Sequence, residues 1–224
     1  MSSSMGTIAV HAPLLEQLNL STNALLKRID IMTPLLKKLK LSSSGGLESE
    51  FSLSFSAPVV EKLSLCFSAN AWFGEIWLLE NMKLKTENPH ELKQLGNGKE
   101  NTCLQPQHCP RGNVLSLYIA IGSRDIWIHR VWSMKQQLSQ FLAVGYSNLE
   151  LKITRLGHVY GAMVMHVLEV SKFIQKLKVE MCKVNEEEAC PINCTCDQPN
   201  NWRSQSISLT CLKEIEIQGF RGET

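Results

Sequence analysis

The side chains best suited to chemistry in this chain are its eight cysteines, and their densest run is Cys190-x3-Cys194-x-Cys196, with Cys182 upstream and Cys211 downstream. Thiolates at such spacing are zinc ligands when a second Cys-x2-4-Cys pair completes a tetrahedron. That second pair is missing here, and Cys103 with His108-Cys109 offers less still. The run therefore reads as reduced, partly buried thiols, and no metal and no cofactor is expected. His158 and His166 have the chemistry of general bases, but neither stands beside an evident nucleophile, and His166 falls within a helical stretch. There is no His-Glu-x-x-His, no Gly-x-Ser-x-Gly and no phosphate loop, and Gly157-His158-Val159-Tyr160-Gly161 lacks the spacing of a dinucleotide loop. No catalytic residue is assigned, and the chain is not expected to be an enzyme.

The elements that must position any functional group are set by a six-residue figure. It occurs three times between Ala12 and Leu41, as LEQLNL (Leu15 to Leu20), LKRIDI (Leu26 to Ile31) and LKKLKL (Leu36 to Leu41). The last two apolar residues of each copy lie two apart, so they share one face of a strand while the residues between them face outward. A six-residue strand cannot bury such a row alone, so the copies must stack. The figure returns at Val60 to Leu65, at Leu79 to Leu84, within Tyr146 to Ile153, at Ile174 to Val179 and at Leu212 to Ile217. Three copies follow a small residue plus proline, at Ala12-Pro13, Thr33-Pro34 and Ala57-Pro58. Proline there ends the incoming segment without removing a ladder donor.

Spacings between the central residues are 21 (Leu18 to Leu39), 24 (Leu39 to Leu63), 19 (Leu63 to Met82) and 28 (Leu149 to Leu177). These match a leucine-rich repeat, whose period is about 20–29 residues. The step of 11 from Leu18 to Ile29 is half a period, which makes LKRIDI the extended return segment of a coil. The expected fold is an α/β leucine-rich-repeat solenoid with a curved parallel sheet. Returns should be mostly β in the N-terminal half, and helices should appear after residue 135.

The chain is read as a single domain, residues 1–224, with a loop or insertion over 85–112 and a polar loop over 185–206. Ser42 to Glu50 is a polar loop punctuated by Gly45-Gly46. Val114 to Ile121 reads as a buried strand. Lys135 to Gly145 has helical spacing, and Gly161 to Val179 reads as a helix that hands over to a strand, its helical part carrying a stripe of Val164, Val167, Leu168 and Ser171. Trp72, Trp77, Trp127 and Trp132 are expected against the core.

Composition limits the function classes. The chain is 44% hydrophobic and 20% charged, with a net charge of +2. Those are values of a globular protein, and binding a phosphate backbone needs a stronger basic excess, so no nucleic acid is expected. No run approaches the ~18 apolar residues of a membrane helix and no secretory signal opens the chain, so no membrane is expected either. Reduced cysteines then suit the cytoplasm or nucleus.

The L-x-x-L-x-L figure with Ala-Pro or Thr-Pro ahead of it resembles the plant F-box/leucine-rich-repeat/FBD proteins. Ser147 to Met181 resembles that family's last repeats. So does Ala189 to Glu223, with its Cys-x-Cys-Asp-Gln-Pro run, Asn201-Trp202-Arg203 and Gly219-Phe220-Arg221-Gly222-Glu223. The resemblance implies a substrate receptor of an SCF ubiquitin ligase, whose F-box docks on a Skp-type adaptor and whose repeats recruit a protein substrate. Nothing before Ala12 resembles an F-box, and the FBD region is incomplete. The Skp-type adaptor is therefore expected only for a longer form that carries an F-box. The alternative is a truncated structural or decoy interaction protein not coupled to ubiquitination. Uncapped ends would leave an apolar row exposed, which predicts self-association.

On either reading the outward residues of the strands carry recognition. Lys38, Lys40, Lys62, Lys83, Lys176 and Lys178 are the candidate contacts for an acidic protein partner of unknown identity. Trp202, in a polar segment, is the candidate aromatic anchor. The competing reading is a solvated face whose charges protect the sheet.

Overall fold

The computed structural model describes residues 5–86, 112–122, 132–142, 146–182 and 190–219. In chain order its strands and helices are β1 (Met5–His11), β2 (Gln17–Thr22), β3 (Leu25–Met32), β4 (Lys38–Ser43), β5 (Leu47–Ser56), β6 (Lys62–Phe73) and β7 (Trp77–Thr86). They continue with β8 (Asn113–Ile121), β9 (Trp132–Ser133), α1 (Met134–Leu142), β10 (Asn148–Thr154), α2 (Gly161–Val170), β11 (Lys176–Met181) and β12 (Glu214–Gln218). The chain coils between two sheets: a small one in the order β1-β3-β5 and a large one in the order β12-β11-β10-β8-β7-β6-β4-β2, with β9 against β6. It is a repeat solenoid.

The six-residue figure does two jobs. Its first apolar residue closes a corner: Leu15, Leu36 and Val60 donate their backbone N–H to the carbonyls of Ala12, Thr33 and Ala57 at 3.1–3.2 Å, so each small-Pro pair sits at the same bend. Successive corners are tied together, with the N–H of Lys37 on the Glu16 carbonyl and that of Glu61 on Lys37, both at 2.8 Å. The second and third apolar residues then point inward. Leu18, Leu39 and Leu63 are neighbours on parallel strands, as are Leu20, Leu41 and Leu65. Leu115, Leu149, Leu177 and Ile215 form the matching row at the other end. Leu41, Leu84, Leu115 and Leu151 are wholly buried. The sequence LKRIDI is the return segment expected: it lies in β3, between β1 and β5 in the second sheet.

The large sheet is not parallel throughout. β7 runs antiparallel to both β6 and β8, so the copy at Leu79 to Leu84 is not a further rung in the same direction. No small-Pro corner precedes it. Instead β6 continues to Phe73, Gly74 takes a positive φ of 60°, and Phe73 pairs with Trp77 across the reversal. The inner row survives because Leu65, Leu84 and Leu115 remain opposite one another. A bulge between Ser68 and Ala71 holds Asn70 at φ 46°.

Gly45 and Gly46, read as loop punctuation, are required by close approach. A Cβ on Gly45 would meet the Asn23 and Ala24 backbone, and one on Gly46 the Ser68 carbonyl at 2.6 Å.

Helical returns are limited to α1 and α2 among the described residues. α1 packs against β5, β6 and α2, burying Met134 and Leu138. In α2 the expected stripe buries Val167, and Ser171 caps the helix; Ala162 and Met163 are buried as well. The return from β11 to β12 is built of 3-10 turns at Thr195–Asp197 and Asn200–Ser204, so the expected polar loop over 185–206 is in part a folded strap. The expected loop over 85–112 begins later, since β7 extends to Thr86, and most of it lies outside the described residues. Trp127 lies outside them too. Trp72 and Trp77 are buried as expected.

Candidate functional site

Two places carry chemistry: the outer face of the large sheet, and the point where the strap meets the turn after β10.

The outer face divides into two electrostatic halves. Register places Lys178 between Glu150 and Glu216, and Lys176 between Asn148 and Glu214. Both lysines make ion pairs, Lys176 Nζ with Glu214 at 2.9 Å and Lys178 Nζ with Glu216 at 3.4 Å. Lys152 does the same with Glu180 at 3.4 Å and lies 5.5 Å from the centre of the Tyr118 ring. The hydrogen bond and charge of Glu180 raise its pKa above the ordinary lysine value. The Ser116 hydroxyl donates to Glu150 at 2.6 Å. The C-terminal half is thus a lattice of alternating sign.

Toward the N-terminus the pattern changes. Lys38 is opposite Gln17 on one side and Lys62 on the other, while Lys40 lies between Asn19 and Ser64. All three are exposed, and among the described residues they make no ion pair; nor does Lys83 on β7. Lys38, Lys40 and Lys62 share a groove of about 330 Å³ that is also lined by Gln17, Asn19 and Ser64. The structure therefore separates the expected lysines into two sets, since Lys176 and Lys178 are already neutralised within the fold.

Trp202 is committed internally. Its indole N–H donates to Asp197 Oδ1 at 2.6 Å, Arg203 donates to the other oxygen at 2.7 Å, and the Arg203 guanidinium lies 4.5 Å from the indole centre. Its ring covers Gly161, the first residue of α2. The hydrogen bonds of Arg203 and then Trp202 hold Asp197 below the usual carboxylate range. Trp202 is half-buried, and its contacts clamp the strap to α2.

The thiols are the larger surprise. Leu156 and Gly157 adopt positive φ of 43° and 78°, and the His158 N–H closes the turn on the Arg155 carbonyl at 2.8 Å. This tight turn presents the imidazole to the strap. His158 Nδ1 is 3.1 Å from Cys194 Sγ and 3.3 Å from Cys190 Sγ, and the Sγ atoms of Cys190 and Cys196 are 3.4 Å apart. All four donor atoms lie within 4.8 Å of one another. Loss of hydration, reinforced by the hydrogen bonds of Cys196 and Cys194, pushes the Cys190 thiol up to about 12. Cys190, Cys194 and Cys196 are free and partly or wholly buried, as read, and they converge on one point with a fourth donor. That donor is His158, weighed from sequence only as a base; Cys182 and Cys211 take no part. A cluster of three sulfurs and one imidazole nitrogen has the donor set of a metal centre, and the expectation of no metal no longer follows from a missing half-site.

His158 thus faces the thiols of Cys190 and Cys194, while His166 stacks at 4.7 Å on Phe73. No helix of the described residues is long and apolar enough to cross a membrane. No family model, no curated protein and no solved structure matches this chain.

Proposed function

We propose that this chain is a non-catalytic leucine-rich-repeat module that binds an acidic segment of a protein partner on the N-terminal half of its large sheet. The observation that carries this reading is the groove of Lys38, Lys40 and Lys62, three exposed lysines on two adjacent strands with no carboxylate paired to them among the described residues. Unpaired like charges side by side on a sheet face raise the local potential and speed association with an opposite charge. The motif resemblance supports the finer version, in which the module is the substrate-recruiting part of a plant SCF receptor acting in the cytoplasm or nucleus.

Binding of a fluorescent peptide of mixed Asp and Glu, followed by anisotropy at rising salt, tests the groove. Affinity should fall with salt, and Lys38→Glu with Lys62→Glu should reduce it at least tenfold, while Lys176→Glu with Lys178→Glu should change it little. Equal losses from both pairs of substitutions would remove the reading. Pull-down with a Skp-type adaptor then separates the two finer forms. A longer chain carrying an F-box should capture the adaptor if the module is a ligase receptor, and a module uncoupled from ubiquitination gives no capture.

A further inference from the structure

The strap between β11 and β12 has little to hold it by burial: of residues 190–210 only Cys196 is buried, and Ile192 is fully exposed. A segment with so small an apolar share needs another source of order, as small domains do when their cores are thin. The Trp202 clamp supplies one tie. The second is at the other end of the 3-10 turn, where Cys194 and Cys196 flank Thr195 and face Cys190 and His158.

We propose that His158 Nδ1 and the thiolates of Cys190, Cys194 and Cys196 bind one Zn2+ as a structural centre that fastens the strap to the turn after β10. The donor set decides the ion. Thiolate sulfur and imidazole nitrogen select zinc over calcium or magnesium, which take oxygen ligands, and among the described residues no carboxylate belongs to the cluster. The geometry agrees with a tetrahedron: zinc bonds of about 2.3 Å to sulfur and about 2.0 Å to nitrogen require edges of roughly 3.8 Å between sulfurs and 3.5 Å from sulfur to nitrogen. Three of the six separations are 3.1–3.4 Å and all lie within 4.8 Å, so side-chain shifts of up to about 1 Å bring the four donors to those edges. Cys190-x3-Cys194 has ordinary zinc-site spacing, and the Cys194-x-Cys196 pair is brought round by the 3-10 turn at Thr195–Asp197. With four protein donors no coordination position is left open, which is the mark of a structural rather than a catalytic site. Binding is a proton exchange without redox change: three thiols release their protons to solvent, and His158 stays neutral with its proton on Nε2.

The test uses the full chain, expressed with added zinc and purified under reducing conditions without chelator. Elemental analysis should find close to one zinc per chain. Co2+ exchanged into the site should give the intense visible bands of tetrahedral cobalt with a sulfur-to-metal band in the near ultraviolet. Cys182→Ser and Cys211→Ser should keep full zinc, while Cys194→Ser and His158→Ala should weaken zinc binding at least 100-fold. His158→Cys, which preserves four donors, should retain the metal and guards against a variant that merely misfolds. Removing zinc with a chelator should lower the thermal midpoint of the wild type, and adding it back should restore it. Far less than one zinc per chain in soluble wild type, octahedral cobalt spectra, a Cys190–Cys196 disulfide in place of metal, or equal zinc loss in the Cys182 and Cys211 variants would each overturn the proposal. None of these outcomes depends on the lysine groove.

Discussion

Gly161 offers the sharpest test of how the strap is fastened. It is the first residue of α2, and a Cβ placed on it would fall closer than 3.0 Å to Cη2, Cζ2 and Cζ3 of Trp202. Gly161→Ala therefore has to push the indole off the helix. The ring cannot slide freely, because its N–H is held by Asp197 at 2.6 Å and its face by Arg203. Overpacking costs about 1–3 kcal/mol, and loss of a hydrogen bond to a charged group costs about 1.5–3 kcal/mol. The two are alternative ways of relieving the same clash, so they do not add in full, and a net loss of about 3 kcal/mol is expected. For a chain of this size that is roughly a 6–12 °C fall in thermal midpoint. The same substitution should change sign once the ring is gone. Alanine is up to about 1 kcal/mol better than glycine within a helix, so Gly161→Ala added to Trp202→Ala should be neutral or stabilising. Urea denaturation of the four proteins in one buffer, followed by circular dichroism, gives the cycle. A cost of Gly161→Ala that is the same in both backgrounds, or below about 0.5 kcal/mol in the wild type, would refute the clamp.

Two further perturbations address the coil itself. Leu41→Ala, at a wholly buried position in the inner row, should cost about 2–5 kcal/mol, whereas Leu20→Ala, in the same row but only partly buried at the outermost strand, should cost less than half as much by urea denaturation; equal costs would mean that the row is not one ladder. His166 is kept below its ordinary pKa by burial, with Glu169 opposing and Lys135 assisting that shift. The unfolded chain thus takes up the proton first, so stability is full above about pH 6.5 and declines as pH falls below it. Replacing His166 by Gln should flatten the pH 7-to-5 fall in urea midpoint, and an unchanged slope would refute the assignment.

Much of the coil could be read from the amino-acid order because its signals are local. A small residue, a proline and an apolar residue two places on define a corner, and Ala12, Thr33 and Ala57 do turn the chain there. Strand direction carries no such signal. Alternation with period two reads the same forwards and backwards, so Leu79 to Leu84 resembled another parallel rung although β7 runs the other way. The missing proline ahead of Leu79 and the glycine at position 74 were the available clues. His158 was illegible for a different reason: it precedes Cys190 by 32 residues, and only the stacking of β10 beside β11 brings the turn and the strap together. Trp202 looked exposed because its neighbours in sequence are polar, but those neighbours, Asp197 and Arg203, are the groups that hold it.

The charge pattern follows from the same stacking. A residue on one rung meets its counterpart on the next, so the sign of a surface charge has consequences one repeat away. Lys176 and Lys178 face Glu214 and Glu216 at the same offset, and exposed pairs of this kind contribute only about 0–1 kcal/mol each. Lys38 and Lys62 stand in that same relation with like charge. In water such repulsion at about 4 Å is near 1 kcal/mol and is screened by salt, small enough for the fold to tolerate without a counter-charge. The asymmetry therefore says little about stability and bears instead on the proposed recognition of an acidic segment. A negative segment laid across β4 and β6 relieves the repulsion and gains two attractions at once, whereas laid across β11 and β12 it would first have to displace carboxylates already in place.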